Sequence, residues 1–285
     1  CMRNKVNLNK LNNSMQGLLF LILVFFGINA CACNAIDEKI LAQIHTRVIV
    51  LGEVHGTVEM PEFAGNLFCH FAHQRQAVML GLEIPEDMQP LLNEYVQSGA
   101  TMADRIKLMS APFWVYAGNS GQASMALFAL IEKARILNKQ GYPVLLFAFD
   151  GSTEINTTKL TAMEQYGYAR DFIMAATIAR RASQYREHKV IILTGNLHAN
   201  KTVKEERMAS FLERYFPVFS AKFVATKGGQ TWACIGKTPE SKVCGLSAMY
   251  PESTASETGF DTIIRLPEVH AAPPALKIPE SVKLQ

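Results

Sequence analysis

A chain of 285 residues that is 49% hydrophobic and 19% charged is too apolar for a disordered segment and too poor in cysteine for a disulfide miniprotein. Its length allows one large core, or at most two. The formal net charge of +3 falls to zero without Arg3, Lys5 and Lys10, which precede the first acid, Asp37; no polybasic footprint for nucleic acid remains.

Residues 1–32 have the grammar of a secretory signal: a basic, Asn-rich start, an apolar run from Gly17 to Ile28, then small residues at Ala30, Cys31 and Ala32. The run is too short to span a bilayer. Ile28-Asn29-Ala30-Cys31 resembles a bacterial lipobox, which would put a lipid on Cys31 and anchor the protein to a membrane. Ordinary cleavage after Ala32 or Ala35 is the alternative. Either way the expectation is export, to the periplasm or the bacterial cell envelope.

From residue 33 to 270 the pattern predicts a single α/β domain, with a largely parallel central sheet and helices on both faces. Helical stretches fall at Ile36 to His45, Pro61 to Gln74, Met88 to Ser98, Gly121 to Gln140 and Thr161 to Tyr185. Between them lie four apolar runs: Arg47 to Leu51, Ala77 to Leu82, Pro143 to Phe149 and Lys189 to Leu193. Each is nearly all apolar rather than alternating, as strands covered on both sides are. Pro61 suits a first helical turn, and Gly141 a helix stop. The segment Thr101 to Asn119, with Pro112, Phe113, Trp114 and Tyr116, exceeds a simple crossover and is a candidate cap over a pocket. After residue 200 come a helix at Lys204 to Tyr215 and strands at Val218 to Ala225, Thr231 to Ile235 and Thr262 to Leu266, expected as antiparallel additions closing the sheet. Residues 271–285 read as an irregular Pro/Ala-rich tail.

Setting the leader aside with Cys31 and Cys33, three cysteines remain. Cys234 and Cys244 flank a polar turn-like stretch and could bridge a hairpin in an oxidising compartment. Cys69, inside Leu67-Phe68-Cys69-His70-Phe71, reads as a buried inert thiol. No CxxC motif offers a zinc ribbon or a thioredoxin-type centre.

In open parallel sheets ligands bind beyond the carboxyl ends of the strands, and all four runs end in groups that bind metals or move protons. The first closes with Gly52-Glu53-Val54-His55-Gly56, the second with Glu83, the third with Asp150-Gly151, the fourth with Gly195-Asn196-Leu197-His198. Burying such groups unpaired costs several kcal/mol each, so they must pair, bind something or face a wet cleft. Glu53 and His55, two apart on extended chain, project to one side. Taken singly, Glu83 and Asp150 also suit loop caps, and Glu59 suits a first-turn carboxylate on a helix dipole. His70 and His73, three apart on a helix without the HExxH carboxylate, read as surface or partly buried residues. His45, His188 and His270 carry no local context. There is no GxGxxG after a strand, no Walker-type GxxxxGK and no GxSxG elbow, which argues against nucleotide cofactors and the usual serine-hydrolase arrangement.

The residues Leu51-Gly52-Glu53-Val54-His55-Gly56-Thr57-Val58-Glu59, then Leu82-Glu83, then Thr194-Gly195-Asn196-Leu197-His198-Ala199 resemble the erythromycin esterase and ChaN-like superfamily, with its Tiki and TraB-type members. The resemblance implies an α/β fold with the Glu-His pair and the later histidine lining one cleft. It also implies either a histidine acting as general base on water, a metal-dependent protease, or a haem-binding lipoprotein. Carried over by motif, Glu53, His55, Glu83 and His198 are the candidates. Two departures weaken macrolide opening as the reaction: only Val54 separates the glutamate from the histidine, where the esterases have two residues, and Lys201 stands where they tend to have a second late histidine.

The leading expectation is a hydrolase of the cell envelope acting on a small molecule or peptide. Water held by His55 or His198 attacks an ester, lactone or amide carbonyl, Glu53 or Glu83 orients the imidazole, Asp150 completes the acidic set, and Asn196 meets the oxyanion. A metal-assisted form would use Zn or Mn on Glu53, His55, Glu83 and His198. The alternatives are a haem- or iron-binding lipoprotein without turnover, and a cleft that serves only as an interaction surface.

Overall fold

The computed structural model describes residues 33–116, 121–151, 163–202, 206–235, 243–252 and 258–276. The signal segment, the lipobox and residues 277–285 lie outside them. The fold occupies a compact unit of residues 35–285.

Each of the four apolar runs is a strand. They are β1 (Val48–Glu53), β2 (Val78–Pro85), β3 (Val144–Asp150) and β4 (Lys189–Gly195), with β1 and β2 buried along their whole length. Together with β5 (Val218–Ala225) and β8 (Thr262–Leu266) they form a six-stranded sheet of order β3-β2-β4-β1-β5-β8 in which every pair is parallel. The antiparallel addition is a separate two-stranded sheet of β6 (Gly229–Ile235) and β7 (Val243–Met249), not a closure of the central one. β5 and β8 therefore differ from the expectation. Chain between them is spent on the β6–β7 hairpin, so β8 returns alongside β5 in the same direction.

The helices are α1 (Glu38–Leu41), α2 (Glu59–His73), α3 (Gln89–Gln97), α4 (Met102–Met109), α5 (Pro112–Tyr116), α6 (Met125–Lys139), α7 (Met163–Gln184), α8 (Asn196–Ala199) and α9 (Met208–Leu212). α1 and α9 are shorter than their patterns suggest. Asp37 caps α1 by accepting from the Lys39 amide, and α4 carries a capping box between Thr101 and Asp104, which satisfies otherwise orphaned N–H groups. α2 begins two residues ahead of Pro61 with acids in its first turn, and Gly141 ends α6 with φ of 77°.

Segment 101–116 is anchored rather than loose, because Trp114 is fully buried. Residues 117–119 lie outside the described residues. Of the predicted tail, residues 271–276 are irregular but tied down: Ala272 donates to the Gly56 carbonyl at 2.8 Å, Met125 to Pro273 at 2.8 Å and Ala275 to Ala123 at 2.9 Å.

Cys234 and Cys244 face each other across β6 and β7 and form a disulfide, as their spacing suggested. Cys69 is buried as expected, but it is disulfide-bonded and not a free thiol. Within the described residues, no helix is long and apolar enough to cross a membrane.

Candidate active site

β4 lies between β1 and β2, which places the ends of three chain-distant strands side by side. Glu53 pairs in register with Gly195, and β2 shifts register between Leu82 and Pro85. Irregularities of this kind re-aim side chains at strand ends, and this one aims Glu83 at the centre of the rim.

Glu83, 5% exposed, is the hub. Its Oε2 accepts from the Thr194 hydroxyl at 2.7 Å and the Gly195 amide at 2.8 Å. Its Oε1 accepts from Arg170 Nη2 at 2.7 Å and Gln122 Nε2 at 3.3 Å. Both histidines touch it, His55 Nε2 at 3.5 Å from Oε2 and His198 Nε2 at 3.8 Å from Oε1. His55 Nδ1 bonds Glu53 Oε1 at 2.9 Å, and Glu53 Oε2 is buried without a hydrogen-bond partner among the described residues.

Burial alone would pull the His55 imidazole down, but the Glu83 and Glu53 carboxylates outweigh it and hold the ring well above its ordinary value. Burial would likewise raise Glu83, yet His55 and Arg170 keep its carboxyl well below the carboxylate range. The pair is thus an imidazolium and a carboxylate at neutral pH.

His198 is set differently. Its Nδ1 lies 2.6 Å from Asp171 Oδ1, and its Nε2 lies 3.0 Å from Arg170 Nη1. Arginine can only donate, so Nε2 is the acceptor and the proton sits on Nδ1, directed at Asp171. Asp171 is fully buried and also accepts from the Met208 amide at 2.8 Å.

Arg170 ties the set together. Nε and Nη2 fork onto Asp150 at 2.9 Å each, and Nη2 and Nη1 reach Glu83 and His198. Burial opposes its charge, and the Asp150 and Glu83 carboxylates more than restore it.

Of the expected residues, Glu53, His55, Glu83, Asp150 and His198 thus meet at one rim. Asn196 starts α8 beside them, with a buried Oδ1 that has no hydrogen-bond partner among the described residues. Glu59 stands apart, bonded to His270 at 2.6 Å. So do His70, bonded to Gln74 at 2.9 Å, and His73, stacked on Tyr142.

The sequence reading missed Arg170, Asp171 and Gln122, and quoted Thr194 within the motif without giving it a role. For Asp171 there was a signal, since it shares a helical stripe with Met174, Ala175, Ile178 and Ala182, all buried. A charge on a core stripe demands a partner.

A stability test follows from the opposed shifts of Glu83 and His55. Glu83, depressed on folding, contributes stability above its unfolded pKa near 4.3 and loses it as pH falls through the lower folded value. His55, raised on folding, contributes fully below about 6.5 and loses this as pH rises through its folded value. The stability gap between wild type and Glu83→Gln, measured by urea unfolding, is therefore expected to be widest from about pH 5 to 6.5. It narrows steeply in acid, and partly in alkali because Arg170 stays charged. A gap independent of pH would contradict this assignment.

No family model matches the sequence, and no curated protein matches it significantly. Solved structures do match. A mutant of erythromycin esterase EreC in its open conformation has a TM-score of 0.55 at 15% identity, covering 77% of this chain and 80% of that one. A Bacillus cereus protein has a TM-score of 0.52 at 11% identity, covering 87% and 94%. ChaN of Campylobacter jejuni, solved with cofacially bound haem, has a TM-score of 0.47 at 12% identity, covering 77% and 93%. At these identities the likeness is one of fold: the chain shares its fold with erythromycin esterase EreC and with the Bacillus cereus protein.

Proposed function

We propose that the protein is an exported hydrolase that cleaves an ester, lactone or amide with histidine-activated water. The observation that carries this reading is the contrast between two neighbouring histidines. His198 keeps an Nε2 lone pair, met by Arg170 Nη1, with Asp171 behind its Nδ1, and His55 is held protonated between two carboxylates. Such opposed environments assign a base and an acid.

Once substrate displaces Arg170 Nη1, His198 Nε2 takes a proton from water as the oxygen adds to the carbonyl carbon, and Asp171 stabilises the imidazolium. Arg170 offsets the charge on the oxyanion, with Asn196 at the start of α8 as a second candidate donor. The carbon–oxygen or carbon–nitrogen bond then breaks, with the leaving group taking its proton from His55. Buried and unpartnered among the described residues, Glu53 Oε2 is a ready acceptor for a bound water. The Cys234–Cys244 disulfide accords with an oxidising compartment and so with export.

A Zn or Mn ion on Glu53, His55, Glu83 and His198 fits these residues poorly. The Arg170 guanidinium, itself a cation, fills the point where Glu83, Asp150 and His198 converge. Haem held by His55 or His198 would have to displace a partner from a ring nitrogen, since both nitrogens of each histidine are engaged.

The test is a screen of aryl esters, lactones and peptides with the mature protein, its metal content quantified, beside His198→Ala. Turnover by wild type and its loss in the variant are expected. Equal turnover in both removes His198 from the mechanism. A Soret band on adding haemin, with no substrate turned over, points instead to a haem-binding protein.

A further inference from the structure

We infer that the β6–β7 hairpin positions the catalytic loop: Thr231 and the backbone stack Gly56–Trp232–Gly121 hold His55 in place between Glu53 and Glu83. This rests on His55 belonging to the reaction centre and adds a role for residues outside the cluster.

The hairpin reaches the loop by two direct bonds. The Thr231 hydroxyl donates to the His55 carbonyl at 2.7 Å, and the Trp232 amide donates to the Gly56 carbonyl at 2.9 Å. Contact is so close that side chains are excluded. A Cβ on Gly56 would lie 2.1 Å from the Trp232 carbonyl oxygen, and one on Gly121 would lie 2.0 Å from the same atom. Both glycines have positive φ, 78° and 77°, which L side chains rarely adopt.

The same stack serves the far side of the site. Gln122, next to Gly121, donates to the Glu83 carbonyl at 2.9 Å. One carbonyl, that of Trp232, is thereby wedged between the loop carrying His55 and the loop steadying Glu83. Two strands by themselves are marginally stable in water, and the disulfide two residues beyond Trp232 staples this pair. A displacement of about 1 Å at a catalytic group is enough to cost on the order of 100-fold in rate, so the clamp has a functional consequence even though it meets no substrate.

The experiment follows the His55 imidazole proton in its bond to Glu53 by NMR, in the full mature protein. That downfield resonance is assigned by its absence in Glu53→Gln. Thr231→Val, close in shape but lacking the hydroxyl, is expected to speed exchange of this proton with water about tenfold, and Thr231→Ser to restore the slow rate. The double variant Cys234→Ser with Cys244→Ser is expected to act like Thr231→Val. Thermal melting shows that each variant is folded. Exchange as slow as in wild type in both Thr231→Val and the double cysteine variant would overturn the inference. Because the readout needs no substrate, failure of the proposed hydrolysis leaves it intact. If hydrolysis is found, Thr231→Val should lower kcat about tenfold, with KM changing less.

Discussion

Asp171→Asn is expected to lower kcat on the order of 1000-fold while KM stays within a few-fold. The aspartate carries no substrate contact in the proposed reaction. It accepts the Nδ1 proton of His198 at 2.6 Å and meets the positive charge that arises when Nε2 takes a proton from water. Losing the equivalent charge in a serine-protease triad costs about 10⁴ in kcat, chiefly through the tautomer. At this site, Met208 donates to the same oxygen at 2.8 Å and helps keep the ring oriented, so the loss should be somewhat smaller. Steady-state kinetics on any ester the wild type cleaves decides the matter. A kcat within tenfold of wild type would remove Asp171, and with it the assignment of His198 as base. Melting curves of the same variant distinguish lost chemistry from lost fold.

Arg170→Met is expected to be the most destabilising single change at the site, by about 3–5 kcal/mol, the usual cost of breaking a buried ion pair from one side. The guanidinium bonds Glu83 at 2.7 Å and Asp150 at 2.9 Å, and its removal strands two carboxylates in a largely buried rim. Adding Glu83→Gln and Asp150→Asn to Arg170→Met should recover most of the loss, because the penalty belongs to the abandoned charges. Arg170→Lys should not, since one ammonium cannot reproduce the fork onto Asp150 while reaching Glu83 and His198. Urea unfolding of the three variants beside wild type is the measurement. A single variant within 1 kcal/mol of wild type would show that these carboxylates find other partners or water.

Much of the candidate site is legible one strand at a time. Glu53, Glu83, Asp150 and the His198 segment each close an apolar run, and a parallel sheet brings such ends to one side regardless of strand order. Which of them touch is a different matter. It depends on β4 entering between β1 and β2, and nothing local to Lys189–Gly195 encodes its neighbours. Arg170 and Asp171 escaped notice for a related reason. They sit about two turns inside α7 and far along the chain from any strand end, so only the packing of α7 on the sheet reveals that the helix delivers both the central cation and the histidine's partner. His270 and Glu59 show the same limit, as a surface pair separated by 211 positions.

The amino-acid sequence by itself determined the layer architecture and the chemical types at the rim, because hydrophobic period and the residues that interrupt it are local properties of the chain. Tertiary structure decided what each group touches: His55 lies between Glu53 and Glu83, His198 between Asp171 and Arg170, and the Arg170 guanidinium bridges Glu83 and Asp150. Protonation and pairing follow from distances of a few ångströms between groups remote along the chain, where Coulomb and desolvation energies vary steeply, and those distances exist only once the strands have been ordered.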